Sequence, residues 1–276
     1  MKTRDGARVA PLGMGTWSLG DSKVTHKEEV TCLHEGLDAG LTMIDTAEIY
    51  GNGRSETLVG DVMAVRRQDA FLVSKIMPNH ATFEGTQRHC RASLERLKTD
   101  YLDLYLLHWR GHIPLHETIE AMEKLKSDGL IRHWGVSNFD VEDMEEVVAL
   151  TPHCACNQVL YNLRNRGTEF ELLSKLEAHR IKAVACSPSG MMARCFNIPY
   201  ARPSLRSIRH RQGRPRQRRS LWPGFYGRKI WSRSRARPRV SICGRMSSPA
   251  IFIFHRHHWR RSTRYSRRQN RNGPWR

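Results

Sequence analysis

Asp45, Tyr50, Lys75 and His108 are residue types that together can deliver a proton to a developing alkoxide. A phenol titrates at about pH 10, too weak an acid for that task unless a nearby ammonium pulls its pKa down. Lys75 would supply that charge. A lysine buried alone tends to lose its proton, and a carboxylate such as Asp45 beside it keeps it ionised. A positioned acid of this kind is worth about 10²- to 10⁴-fold in rate. Taken singly, each of the four is more often a surface ion pair, a core aromatic or a satisfied core histidine. What sets them apart is placement, because each lies at or just past the end of a predicted strand.

Those strands belong to a regular alternation. From residue 11 to 187, short β-rich runs alternate with amphipathic stretches of helical period, the order expected of a parallel sheet covered by helices. Strands are predicted near Leu12 to Gly15, Leu41 to Asp45, Ala70 to Lys75, Leu102 to Leu107, Ile131 to Ser137, Cys154 to Val159 and Lys182 to Ser187. Thr25-His26-Lys27-Glu28 has the spacing of a capping box, and Gly40 suits the left-handed position after that first helix. Leu115, Ile119, Met122 and Leu125 share one helical face, and Gly129 ends that helix. Right-handed βαβ connections wind such units in one direction, toward an α/β barrel.

The run Met43-Ile44-Asp45-Thr46-Ala47-Glu48-Ile49-Tyr50-Gly51-Asn52-Gly53-Arg54-Ser55-Glu56 resembles the signature of the aldo-keto reductase family. The resemblance continues in order through Val73-Ser74-Lys75, Tyr101-Leu102-Asp103, His108-Trp109, Gly135-Val136-Ser137-Asn138-Phe139 and Asn157-Gln158 to Tyr161-Asn162, covering about residues 3 to 190. It implies a (β/α)8 TIM barrel, here incomplete with about seven strands, that reduces aldehydes or ketones with NADPH, or with NADH. It assigns Tyr50 as general acid, Lys75 and Asp45 as its electrostatic partners, and His108 as the residue orienting the substrate carbonyl. Ser137, Asn138 and Gln158 would hold the cofactor carboxamide, with Gly15, Thr16 and Trp17 at the first strand end. Trp17, Ile49 and Trp109 are candidates for the substrate pocket. The chain departs from the family at the seventh strand end. Cys186 and Ser187 stand where a Tyr ring usually stacks on the nicotinamide.

Charge divides the chain into residues 1 to 190, the barrel, and 191 to 276, a basic tail. Of 46 Lys and Arg, 24 lie after Gly190 in a stretch without a carboxylate, leaving 22 against all 27 Asp and Glu, a net of −5. The tail shows no apolar period, and the closing helices and final strand of the family are absent as written. Yet Arg218 to Ser234, back-translated with permitted codons and read two bases later, allows AVALAWILRQEDMVAIP, which resembles the missing helix and strand. The same offset turns Ser266 to Trp275 into PPPEPERPL, similar to the family's proline-rich ending. A frameshift near residues 188 to 195 accounts for both, and a basic nucleic-acid-binding tail with Trp222, Trp231 and Trp259 is the rival. Loss of the eighth strand would leave the first and seventh as unpaired edges and remove much of the family's phosphate and adenine grip. An irregular tail and a barrel unable to hold cofactor are therefore expected.

The seven cysteines lack paired zinc spacing beyond Cys154-x-Cys156, and His80, His112 and His116 fall at no ligand spacing, so no metal site is expected. No apolar run reaches the length of a signal peptide or membrane span. A cytoplasmic chain with reduced thiols and a small-molecule partner is the expectation.

Overall fold

A computed structural model describes residues 9–21, 25–187 and 251–254. Seven parallel strands follow one another in chain order: β1 (Leu12–Gly15), β2 (Met43–Asp45), β3 (Phe71–Ile76), β4 (Leu102–Leu107), β5 (Ile131–Ser137), β6 (Cys156–Leu160) and β7 (Lys182–Cys186). Between them run α1 (His26–Asp38), α2 (Arg54–Arg66), α3 (Phe83–Leu97), α4 (Leu115–Ser127), α5 (Val141–Leu150) and α6 (Leu172–Ala178). Every residue of β4 is buried, as a strand covered on both faces requires.

The expected gap between the first and seventh strands is spanned differently. Ile251–Phe254, β8, lies antiparallel to both neighbours, pairing Gly13 with Phe252 on one side and Ala185 with Ile253 on the other. The sheet is thus a closed barrel in the order β1 to β8, and neither edge is left unpaired. An edge with open backbone donors and acceptors is a template for pairing with another extended segment. Ile251-Phe252-Ile253-Phe254, β-branched and aromatic in alternation, is such a run. Beyond it, the sequence expectations for residues 188 to 276 lie outside the described residues.

Local signals hold with one exception. Gly40 and Gly129 take φ of 85° and 75° after α1 and α4, and the apolar face of α4 is buried at Leu115, Ile119, Met122 and Leu125. Thr25, by contrast, forms no capping box with Glu28. Its backbone is already helical (φ −96°, ψ −4°), where an N-cap needs an extended conformation, and its hydroxyl donates to Glu29 instead. The reciprocal box appears at α5, between Asp140 and Asp143.

Helices α2 and α3 cross closely at Gly60, where an added Cβ would stand 2.2 Å from the Arg96 carbonyl oxygen. Gly60→Ala is therefore expected to destabilise by about 1–3 kcal/mol through overpacking against backbone. That outweighs the gain in helix propensity, about 1 kcal/mol. Urea denaturation of the two proteins measures the difference.

Candidate active site

Asp45, Tyr50, Lys75 and His108 meet at the C-terminal end of the barrel. Asp45 ends β2 opposite Val73 of β3, and Lys75, the penultimate residue of β3, lies two residues further on, on the face that Val73 shares. Lys75 has no solvent exposure, and its ammonium donates to Asp45 Oδ2 at 2.7 Å, to the Thr46 carbonyl at 2.8 Å and to Tyr50 Oη at 3.4 Å. His108, one residue past β4, packs edge-on against Tyr50 with ring centroids 5.9 Å apart, and against Trp109 at 4.8 Å.

Electrostatics sets the protonation of Lys75, Tyr50 and His108. Burial alone would push the Lys75 ammonium down, but the Asp45 carboxylate and Tyr50 outweigh it, and its pKa ends above the ordinary value. Tyr50 departs from the sequence expectation. Burial raises its pKa more than Lys75 lowers it, so the net direction is up. The phenol therefore carries its proton throughout the neutral range. His108 is pulled down to about 3, first by burial and then by the Lys75 charge, and its buried Nδ1 has no hydrogen-bond partner among the described residues. A neutral imidazole carries one N–H, which can donate to an uncharged oxygen.

The shift of His108 predicts a pH response. The unfolded chain protonates this ring near pH 6.5 and the folded one only near 3, so stability falls as pH drops below 6.5. Catalysis should show no inflection belonging to His108 between about pH 5 and 8. A histidine NMR titration placing its midpoint near 6.5 would contradict this environment.

Ser137, Asn138 and Gln158 converge beside the ion pair. Ser137 Oγ donates to the Gln158 carbonyl at 2.9 Å, and Asn138 Nδ2 donates to the His108 carbonyl at 3.0 Å and Ser137 Oγ at 3.1 Å. Asn138 takes φ 57°, a left-handed turn that aims its amide back over the strand ends. Gln158 Nε2 donates to Asp45 Oδ1 at 2.9 Å, so one carboxylate serves both Lys75 and Gln158. Gly15 ends β1, and Thr16 Oγ1 donates to the Asp45 carbonyl. Cys186 ends β7, half-buried, its thiol pushed up to about 11 by burial and the Asp45 charge. Ser187 sits in a left-handed turn, its carbonyl accepting from Asn162. Trp17, 70% exposed, Ile49 and Trp109 are exposed apolar side chains on the segments that follow β1, β2 and β4.

Some supporting residues carried no role in the sequence reading. Ser55, fully buried, donates to the Thr16 carbonyl at 2.9 Å and lies 2.7 Å from Thr16 Oγ1, tying the loop after β1 to the start of α2. Glu56 accepts from Ser74 at 2.5 Å and Arg96 at 2.7 Å. Both residues close the signature run, and polar types at a helix start were the available signal.

The family model for the aldo/keto reductase family matches residues 11–197. Methylglyoxal reductase YeaE of Escherichia coli (strain K12) is 46% identical over 188 residues, 67% of this chain and 66% of that protein. An aldo/keto reductase from Klebsiella pneumoniae, solved with NADP and acetate, is 49% identical with a TM-score of 0.64, covering 66% of this chain and 65% of the other. A second from the same organism, solved with NADPH, is 45% identical with a TM-score of 0.66, over 72% and 71%. The similarity to YeaE thus spans just under two thirds of that relative's length. With its family motif, its strand order and its Asp45, Tyr50, Lys75 and His108 cluster in agreement, the chain belongs to the aldo/keto reductase family.

Proposed function

We propose that the chain reduces small aldehydes and ketones to alcohols, with Tyr50 as general acid and NADPH as reductant. The observation that carries this reading is the buried Lys75 ammonium, held by Asp45 and within 3.4 Å of the Tyr50 hydroxyl. NADPH, when bound, supplies the hydride. The site fits its nicotinamide end by donor chemistry, since the Ser137 hydroxyl and the Asn138 and Gln158 amides are the types that hold a carboxamide. Cys186 offers no stacking ring there, so orientation falls to those three. The segment that carries the family's phosphate and adenine grip is the one absent from this chain as written, and what stands in its place lies outside the described residues.

His108, neutral and beside Tyr50, donates a hydrogen bond that orients the carbonyl oxygen. Tyr50 gives up its proton only as that oxygen gains alkoxide character, and the phenolate left behind faces Lys75. The attraction is absent before proton transfer and present after it, which is the difference that accelerates the step. Trp17, Ile49 and Trp109 line the mouth and shed water from it. The names of its relatives direct the first substrates to be tried, methylglyoxal and related small aldehydes. Purified chain mixed with NADPH should oxidise it only when such a carbonyl is added, whereas a chain that neither binds nor oxidises NADPH would be the inactive product of the frameshift. Activity unaffected by His108→Ala would remove the role given to that ring.

We also propose that residues 1–190 are the reductase part and that 191–276 are read out of frame. The abrupt loss of carboxylates after Gly190 supports this, as does the recovery of two family-like segments by one offset. Resequencing the gene across the codons for Ser187 to Cys195 tests it. An intact frame there would leave a basic tail, whose salt-dependent binding to DNA or RNA would then identify it as a nucleic-acid contact.

A further inference from the structure

We propose that Glu48, His80 and His89 form a binding site for a divalent first-row transition cation, beside the Tyr50 loop and separate from the carbonyl-reducing residues. Their side-chain ligand atoms all lie within 4.8 Å of one another. The three come from different elements: the segment after β2, the short turn Pro78–His80 after β3, and α3. The chain spacing therefore shows no ligand pattern, and only the fold assembles the set.

Glu48 is the anchor. Its side chain is 7% exposed, its Oε1 accepts from the Met77 N–H at 2.7 Å and lies 3.0 Å from His80 Nδ1, and its Oε2 lies 2.7 Å from His89 Nδ1. Both imidazoles thus aim the same nitrogen at one carboxylate, and their rings stack with centroids 3.8 Å apart and planes 18° from parallel. Two ligand atoms on one tetrahedral zinc ion, each about 2.1 Å from it, are about 3.4 Å apart. The two nitrogen–oxygen contacts here, 3.0 and 2.7 Å, are closer than that, so an ion enters as the rings move away from Glu48. Both rings are partly exposed, which gives it a path from solvent.

The donor chemistry selects the ion. Two imidazoles and one carboxylate suit zinc, nickel, copper or cobalt, whereas calcium and magnesium require mostly oxygen donors. Three protein ligands leave a further position for water.

The test uses the full chain, stripped with a chelator. Because His255, His257 and His258 could also take metal, the reference protein carries glutamine at those three positions. Titration with zinc by calorimetry is expected to show one saturable equivalent, with a rise in melting temperature. Cobalt(II) should broaden the imidazole NMR resonances of His80 and His89, a readout independent of any variant's folding. His80→Gln and His89→Gln should each weaken zinc binding by at least the roughly 10- to 100-fold that loss of a metal-site partner costs. His112→Gln and His116→Gln should leave it unchanged. No saturable binding to the reference protein, no broadening of the two resonances, or full binding by the His80→Gln/His89→Gln double variant would each overturn the proposal. The cluster would then be a hydrogen-bonded tie between loops.

Discussion

Tyr50→Phe is expected to lower kcat by about 10²- to 10⁴-fold, the usual worth of a positioned general acid. The substitution removes one oxygen and leaves the rest of the site in place. Lys75 keeps its bonds to Asp45 at 2.7 Å and the Thr46 carbonyl at 2.8 Å, so its charge stays paired and the fold is spared. NADPH binding should change little, because Ser137, Asn138 and Gln158 are untouched. The effect should fall on kcat and kcat/KM together, since the lost interaction is made only as the proton moves. Steady-state rates with a small aldehyde and a binding titration with NADPH separate these quantities. A variant retaining more than a tenth of the rate would remove Tyr50 as the acid, and a variant that no longer bound cofactor would have been damaged elsewhere.

Much of this site was legible in the chain because barrel architecture converts strand order into position. The seven predicted strands fall within two residues of the observed ones at every end, since alternating β-rich runs and amphipathic helices leave few other folds. Asp45, Lys75 and His108 could be placed at strand ends for that reason. The balance of forces on Tyr50 was not legible. Spacing identifies Lys75 as a neighbour but cannot weigh its charge against the burial of the phenol, and burial wins. Nor could pairing be foreseen where it depends on unmet backbone groups. Ile251–Phe254 lies about 65 residues past β7 in an Arg-rich stretch, and its role as β8 follows from the open edges of β1 and β7. The Glu48, His80 and His89 cluster escaped because its members share no helix and no regular spacing.

Asp45→Asn should lower stability by about 3–5 kcal/mol at neutral pH, the cost of stranding one member of a buried ion pair. Lys75 is wholly buried, so water cannot compensate for the lost carboxylate. The amide cannot serve both of Asp45's partners either. Lys75 donates to Oδ2 and Gln158 donates to Oδ1, so an asparagine presenting its oxygen to the ammonium turns its NH₂ against another donor. The pH dependence distinguishes this account from simple repacking. In the parent protein the folded pKa of Lys75 lies above its unfolded value of about 10.4, so the pair's contribution is complete below that pH and declines only as pH rises through the folded pKa. In the variant, burial acts without Asp45 and the folded pKa falls below the unfolded one. The unfolded chain then binds more protons across the interval between them, and stability rises with pH. Denaturation at pH 6.5 and at pH 9.5 should therefore show a deficit that narrows at the higher pH. A deficit equal at both would mean that Asp45 is not what keeps Lys75 ionised. Activity should fall with the charge, because a neutral Lys75 no longer stabilises the phenolate that proton transfer leaves on Tyr50.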